Sequence, residues 1–153
     1  MTDELKFEFL HSLFVLKSLL GAEFGNSKTD QPTLSMPEYI LMKKTAETES
    51  GCTDLTQVRE YLAVSKAAIS QMLSSLERRG LLVREIAPQN RRNLLLTLTP
   101  AGEGALESKR IEVEQRVAEI VSCMGQAETE QFTALIGTLN DAVKASMEKR
   151  RLL

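Results

Sequence analysis

The sequence predicts a mainly α protein with one small β-hairpin near its middle. Three observations lead to this fold class. Apolar residues recur at spacings of three and four along several long segments, which is the helical period. Ser, Thr or Asp stands directly before most of these segments, as N-cap residues do. The stretch from Leu81 to Leu98 holds two short apolar runs around a polar turn, as expected for a pair of strands.

The composition is typical of one globular domain. The chain has 153 residues, of which 42% are hydrophobic and 26% are charged, enough for one core of ordinary size. The net charge of −2 predicts no polyanion partner for the chain as a whole, so any basic surface must be local. Because no signal peptide or membrane-spanning pattern is found, we expect a single, soluble, cytoplasmic domain over residues 1–153.

The N-terminal segment is predicted to be one amphipathic helix. Leucine and phenylalanine recur with the helical period between Leu5 and Leu20, and Gly21 and Gly25 mark the region where the helix ends. The polar segment 25–33 contains Gly and Pro, which is typical of a loop.

Two capping signals predict the next two helices. Ser35 and Glu38 have the spacing of a capping box, in which each side chain bonds the backbone of the other residue, and the helix they open should stop before Gly51. Asp54 begins a similar signal and opens a short helix through Leu62. Cys52 is expected in the loop between these helices.

A tight turn separates that short helix from a longer one. Ala63 and Val64 form the turn, and Ser65 caps a helix that runs to Arg79 and stops at Gly80. Its buried stripe is expected to be Ile69, Met72, Leu73 and Leu76. Its opposite face carries small and polar residues: Lys66, Ala67, Ser70, Gln71 and Ser74.

The hairpin and two long helices complete the predicted fold. The strands are expected at residues 81–86 and 94–98, around the polar turn 87–93. Thr99 and Pro100 open a long helix by the rule that favours proline at the first helical position, and it continues to about Met124. Beyond Gly125 a last amphipathic helix follows, marked by Phe132, Leu135, Ile136, Leu139, Val143 and Met147.

A helix, a tight turn, a second helix and a hairpin with Arg91 and Arg92 at its tip are typical of a winged helix-turn-helix that binds DNA. The N-terminal half of the second helix of such a pair reaches base edges in the major groove, and arginines on a wing reach phosphates or the minor groove. The predicted DNA-binding residues are Ser65, Lys66, Ala67, Ser70, Gln71, Ser74, Arg91 and Arg92.

The charge distribution supports this interpretation. Segment 59–92 has seven basic and three acidic residues, a net charge of +4, so the rest of this −2 chain carries −6. A basic stripe on an acidic chain is the electrostatic signature of nucleic-acid binding.

These motifs resemble those of the MarR family of transcriptional regulators. The run from Val64 to Arg84 is similar to the family's recognition helix and first wing strand, 88–92 and 98–102 to its wing and the start of its fifth helix, and 34–39 to the opening of its second helix. The resemblance covers roughly residues 34–106.

The resemblance implies an architecture and its partners. It implies a DNA-binding region at 34–100, with helices at 1–25 and 101–153 that form a homodimer. The long amphipathic helices independently expose more apolar surface than a small winged domain can cover. The two recognition helices would address a near-palindromic double-stranded DNA operator with half-sites about 34–36 Å apart.

The resemblance also implies regulation by a ligand. Most such proteins are repressors, and many carry a small-molecule site, often for aromatic compounds, between the dimerisation helices and the winged region. Ligand binding there lowers operator affinity. No residue of this sequence identifies an effector, and the pattern calls for no cofactor and no metal.

This sequence departs from the family's common pattern at three places. Gln71 stands where an Arg is common, Ser74 and Ser75 where an Asp-Arg pair is common, and Asn90 where an Asp precedes the wing arginines. Fewer charged contacts predict weaker binding with a shallower salt dependence. Gln71 also allows a preference for adenine, where Arg prefers guanine.

Two alternative functions remain open, and catalysis is not expected. The first is a winged-helix module that binds another protein and has weakened or lost DNA reading. The second is a sensor in which Cys52 or Cys123 is modified, although neither thiol has a marked environment and a structural role is the default. With one histidine, His11, and two cysteines, the chain offers no catalytic triad and no closed zinc site. We expect His11 to pack half-exposed on the first helix.

Overall fold

The computed structural model of the chain describes residues 2–25, 33–48, 52–86 and 94–151. Two units can be distinguished, Met1–Ile111 and Glu112–Leu153. The helices and strands of the described chain follow in this order: α1 (Asp3–Phe24), α2 (Met36–Ala46), β1 (Cys52–Thr53), α3 (Leu55–Leu62), α4 (Lys66–Arg78), β2 (Leu82–Ile86), β3 (Leu94–Leu98), α5 (Pro100–Met124) and α6 (Gln126–Arg151). The mainly α fold class is confirmed.

The predicted helix starts are confirmed because the expected side chains cap them. Ser35 accepts from the backbone N–H of Glu38, and the Glu38 carboxylate accepts from the backbone N–H of Ser35, which completes the capping box. Asp54 accepts from the first N–H groups of α3, and Ser65 accepts from the N–H of Ala68 in α4. Each bond satisfies a donor that a helix start leaves unpaired.

The sheet has three strands, one more than the sequence predicts. Its order is β1-β3-β2, and both pairings are antiparallel. Strand β1 pairs Cys52 with Leu95, so the expectation that Cys52 lies in a loop is wrong. A two-residue strand has no internal period that a sequence could display, and it exists only because β3 offers it an edge.

The core of the first unit lies between α2, α3, α4 and the sheet. Its most deeply buried side chains are Leu34, Leu41, Met42, Leu73, Leu76 and Leu96. On α4 the predicted buried stripe is confirmed at Ile69, Leu73 and Leu76, whereas Met72 is only partly buried. This core fixes which face of α4 is left for solvent.

The long helices contribute little to this core. Helix α1 has no buried residue, and in the first unit α5 buries only Gly102 and Lys109. The exposed large apolar side chains of α1 include Phe7, Leu10 and Phe14. Among the described residues no helix is long and apolar enough to cross a membrane.

The second unit consists of the end of α5 and of α6, with Gly125 between them. Gly125 has φ +91°, a left-handed conformation that glycine adopts without strain. Helix α6 has no buried residue and exposes Phe132, Leu135, Val143 and Met147.

Candidate nucleic-acid interface

Helix α4 presents the predicted contact residues on its solvent face. Ser65, Lys66, Ala67, Ser70, Gln71 and Ser74 are all exposed. The hydroxyl of Ser65 is engaged as the helix cap, while that of Ser70 donates to the carbonyl of Lys66 at 3.1 Å. The side chains of Lys66 and Gln71 therefore offer the longest polar groups of this face.

The corner between α3 and α4 is made by Ala63. This residue has φ 52° and ψ 39°, a left-handed conformation that is uncommon outside glycine. Its N–H donates to the carbonyls of Arg59 and Glu60, and the N–H of Val64 donates to Arg59 as well. These bonds end α3, and α4 begins three residues after Ala63, at Lys66, which gives the tight turn of a helix-turn-helix.

An ion pair holds the C-terminal end of α4 against α2. Arg79, the C-cap residue of α4, donates from Nη1 to Oε1 of Glu38 at 3.1 Å. Both side chains are largely buried, with 19% and 10% of their surface exposed. The other oxygen of Glu38 accepts from the backbone N–H and the hydroxyl of Ser35 at 2.9 and 2.8 Å.

A second set of bonds holds the same end of α4 against α5. The hydroxyl of Thr99 donates to the carbonyl of Gly80 at 2.6 Å, and its backbone N–H donates to the carbonyl of Leu81 at 3.2 Å. Gly80 has φ +69°, so it ends α4 in the left-handed conformation that the sequence predicts. Gly102 completes the contact, because only a residue without a Cβ can approach the Leu81 backbone so closely.

The basic surface is narrower than the charge count of segment 59–92 indicates. Arg79 is committed to Glu38, and Arg84 pairs with Glu77 at 2.9 Å. Arg59, Lys66 and Arg78 make no ion pair with the described part of the chain. Arg91 and Arg92, the predicted wing contacts, lie outside the described residues.

A cavity of about 400 Å³ lies in the first unit, between α2, β3 and α5. Apolar walls come from Leu96, Leu98 and Leu106, and polar groups come from Tyr39, Lys43 and Arg110. The sequence indicates no functional role for these polar residues. Their signal is weak, because Lys43 and Arg110 belong to helices far apart in the chain and only the fold brings them to one cavity.

Glu107 and Arg110, one helical turn apart on α5, form an ion pair at the cavity. The hydrogen bond from Arg110 holds the pKa of the Glu107 carboxyl below its usual value, as the charged form is the better acceptor. Arg110 Nη2 lies 2.6 Å from Oε1 of Glu107. One wall of the cavity thus carries a fixed pair of opposite charges.

Neither the histidine nor the described thiol forms a reactive site. His11 is exposed, not half-exposed as expected, and stacks on Phe7 with ring centroids 6.2 Å apart. Cys123 is a free, exposed thiol near the end of α5. The described residues contain no group of three or more His, Cys, Asp or Glu that could hold a metal ion.

A tight helical pair, a recognition helix with an exposed polar face and an antiparallel sheet behind it define a winged helix-turn-helix of the DNA-binding class. A model of the MarR family matches residues 45–94 of this chain. The chain is 26% identical over 127 residues to the transcriptional regulator HosA of Escherichia coli O111:H-, which covers 83% of this chain and 93% of HosA. It is 25% identical over 116 residues to the HTH-type transcriptional regulator YhbI of Bacillus subtilis strain 168, which covers 76% of this chain and 74% of YhbI. The chain thus resembles the MarR family at residues 45–94 and is similar to these two transcriptional regulators over most of its length.

Solved structures share the fold. BpsR of Bordetella bronchiseptica, whose DNA binding is regulated by 6-hydroxynicotinic acid, superposes with a TM-score of 0.72 at 22% identity over 87% of this chain and 98% of its own. The transcriptional repressor CouR bound to a 23-mer DNA duplex superposes with a TM-score of 0.63 at 20% identity over 90% and 89%. The relatives are transcriptional regulators and not enzymes.

Proposed function

We propose that this chain is a dimeric, sequence-specific DNA-binding repressor. The observation that carries the proposal is the exposed polar face of α4, which is held at its C-terminal end by two neighbouring helices while its N-terminal half is open to a major groove. The region 34–100 binds DNA, and a regulator that occupies its operator excludes other proteins from it. The DNA-bound repressor CouR, which has the same fold, supports this mode of action. A regulator that acts on chromosomal DNA in this way is expected in the cytoplasm.

The contact residues have different roles. Ser65 and Lys66 stand at the start of α4, where their side chains reach phosphates, and Gln71 is long enough to read a base edge. Gln makes a bidentate pair with adenine, so an operator rich in A·T pairs at this position is expected. Ala67, Ser70 and Ser74 complete the contact face, and Arg91 and Arg92 are assigned to the wing from the sequence alone.

Dimerisation follows from apolar side chains that the chain itself does not cover. Helices α1 and α6 bury no residue, yet each exposes several large hydrophobic side chains. Large apolar side chains exposed along a helix often mark a surface that another protein covers. A second copy of the chain, packed through helices in 1–25 and 101–153, covers these faces and brings two α4 helices to a near-palindromic operator.

The cavity between α2, β3 and α5 is proposed as the effector site. Its volume of about 400 Å³ is within the range of small-molecule sites, and its leucine walls with a few polar groups suit a small aromatic molecule. The regulation of the similarly folded BpsR by 6-hydroxynicotinic acid supports a ligand of this size. Binding there would lower operator affinity.

The decisive test is selection of bound sequences from random duplex DNA by the full chain, at about 0.1 M salt, where phosphate contacts still contribute strongly. We expect an enriched palindrome with half-sites one helical turn apart. Enrichment of no sequence would refute the proposal and favour the winged-helix module that binds another protein.

Two single variants separate the roles of the contact residues. Lys66→Ala should weaken binding to all duplexes by a similar factor and lower the salt slope by about 1, because it removes one phosphate contact. Gln71→Ala should instead change which bases are preferred, at a cost of about 1–3 kcal/mol on the selected sequence. A Gln71→Ala variant with an unchanged selected sequence would contradict the docking of α4.

A further inference from the structure

The C-terminal end of α4 is anchored on two helices that also form the walls of the cavity. We propose that Glu38 is a positioning residue: through Arg79 it sets the angle of α4 that base reading needs, and together with Thr99 it ties that angle to the separation of α2 and α5. This inference rests on the proposed function, since it assigns a role in reading DNA to residues that do not face DNA.

The carboxylate of Glu38 has two tasks, one for each oxygen. Oε2 accepts from the N–H and hydroxyl of Ser35 and so fixes the start of α2. Oε1 accepts from Arg79 and so fixes the end of α4. Because only 8% of Glu38 is exposed, these three bonds are largely shielded from water, which strengthens them.

The C-terminal end of α4, which the bond from Arg79 to Glu38 holds, is rigid. Gly80 donates to the carbonyl of Glu77 at 2.9 Å, and Leu81 donates to that of Leu76 at 3.0 Å, the paired bonds of a Schellman motif. Arg79 lies inside this motif. A displacement of the Arg79 side chain therefore moves α4 as a rigid body and does not only distort its last turn.

The second anchor comes from the opposite wall of the cavity. Thr99 bonds Gly80 and Leu81, and its carbonyl accepts from the N–H of Glu103, one turn further along α5 and in the cavity lining. On the other wall, Tyr39 lines the cavity directly beside Glu38. A change in the separation of α2 and α5 therefore reaches α4 through both contacts, that of Glu38 with Arg79 and that of Thr99 with Gly80.

The distance along α4 from Arg79 to Gln71 is long enough for a small tilt of the helix to displace Gln71. Gln71 lies eight residues before Arg79, which is about 12 Å along a helix that rises 1.5 Å per residue. A tilt of about 5° at the anchor moves Gln71 by about 1 Å. A shift of this size takes a hydrogen bond to a base edge beyond its useful distance.

The test compares two pairs of variants that change charge equally. Arg79→Met breaks the anchor, whereas Arg78→Met removes the same charge from the exposed neighbouring residue. Glu38→Gln leaves one side-chain oxygen to accept from both Ser35 and Arg79. Glu60→Gln, its control, removes the same charge from the exposed face of α3. Each variant's affinity is measured on the duplex that the wild-type protein selects and on a scrambled duplex of the same composition.

The readout is the ratio of the two affinities. We expect Arg79→Met and Glu38→Gln each to lower this ratio by about fivefold, a usual size for contacts that couple two elements, and both controls to stay within about twofold of wild type. Charge alone predicts an unchanged ratio for Glu38→Gln, because loss of a negative charge strengthens binding to both duplexes alike. Arg79→Lys, which keeps the charge, should recover part of the ratio.

A purely structural role for the pair would lower the melting temperature and leave the ratio unchanged, and that result would overturn the inference. Circular dichroism at the assay temperature establishes that each variant is folded, and either anchor variant alone is sufficient to decide. If the wild-type protein selects no sequence, the proposed function fails first; if it selects one and the anchor variants match their controls, only the positioning role fails.

Discussion

Gly102 provides the sharpest stability test, because two helical glycines two residues apart have opposite surroundings. A Cβ built on Gly102 would overlap the carbonyl oxygen of Leu81 and lie 2.9 Å from its carbonyl carbon, both of them backbone atoms. A Cβ built on Gly104 meets nothing within 4 Å. The same Gly→Ala change should therefore destabilise the protein at one position and stabilise it at the other.

The cost at Gly102 has three parts. To admit a methyl group, the start of α5 must move away from Leu81, which stretches or breaks the two bonds that Thr99 makes there; each contributes about 1 kcal/mol. Overpacking against a backbone costs about 1–3 kcal/mol. The better helix propensity of alanine returns about 1 kcal/mol. We expect Gly102→Ala to lower the free energy of unfolding by about 3 kcal/mol.

The assay is urea unfolding followed by circular dichroism, at one fixed protein concentration because the proposed dimerisation would make stability depend on concentration. Gly104→Ala, the control, should raise the free energy of unfolding by about 0.5–1 kcal/mol, since only helix propensity changes. Equal effects of the two substitutions would refute the argument from close approach. A neutral Gly102→Ala would mean that α5 can leave Leu81 freely, which would also remove one anchor of α4.

Three further predictions concern separate parts of the chain. Phe14→Asp should dissociate the proposed dimer in sedimentation velocity, whereas Tyr61→Asp, equally exposed at 68% against 67%, lies outside the long helices and should not; an intact dimer of the Phe14 variant would contradict the role proposed for α1. Asp54→Ala should lower the free energy of unfolding by about 1 kcal/mol through loss of the α3 cap, and Asp54→Asn, which keeps an acceptor, should lower it less. Glu107 should titrate by NMR below the usual glutamate pKa, and Arg110→Met should raise that pKa again. Because the folded pKa is the lower one, the Glu107–Arg110 pair stabilises the fold above the ordinary glutamate pKa and loses that contribution as the pH falls through the lowered value. An unchanged Glu107 titration in the Arg110 variant would refute this assignment.

The local signals of the sequence predicted most of the fold. The caps at Ser35, Asp54 and Ser65 and the glycine stop at Gly80 act within a few residues, so they can be recognised without knowledge of the tertiary structure. Strand β1 could not be predicted in this way, because its two residues become a strand only when β3 lies beside them. For the same reason the pairing of Arg79 could not be predicted, although this residue adds to the basic charge of segment 59–92. Its partner Glu38 is 41 positions away, and only the fold brings the two together.

The candidate site shows the same division between local and non-local information. The solvent face of α4 follows from the helical period alone, so the exposure of Lys66, Ser70 and Gln71 was predictable. The cavity that contains Tyr39 and Arg110 was not, because it is formed by three elements that are distant in sequence. The anchors of α4 belong to this second kind, since their residues are unremarkable until the fold gives them partners.

The strand order β1-β3-β2 leaves one side of β2 without a partner strand in the described part of the chain. Such an edge is a template on which other chains can add strands, and at high concentration this leads to aggregation. Strand β2 carries exposed charges at Arg84 and Glu85 beside the exposed Val83, and Arg84 is tied down by Glu77 of α4. A strand from another chain that paired with β2 would have to bury the charges of Arg84 and Glu85 against its own backbone. The Arg84–Glu77 ion pair is therefore expected to disfavour strand addition at β2, the strand that leads into the wing.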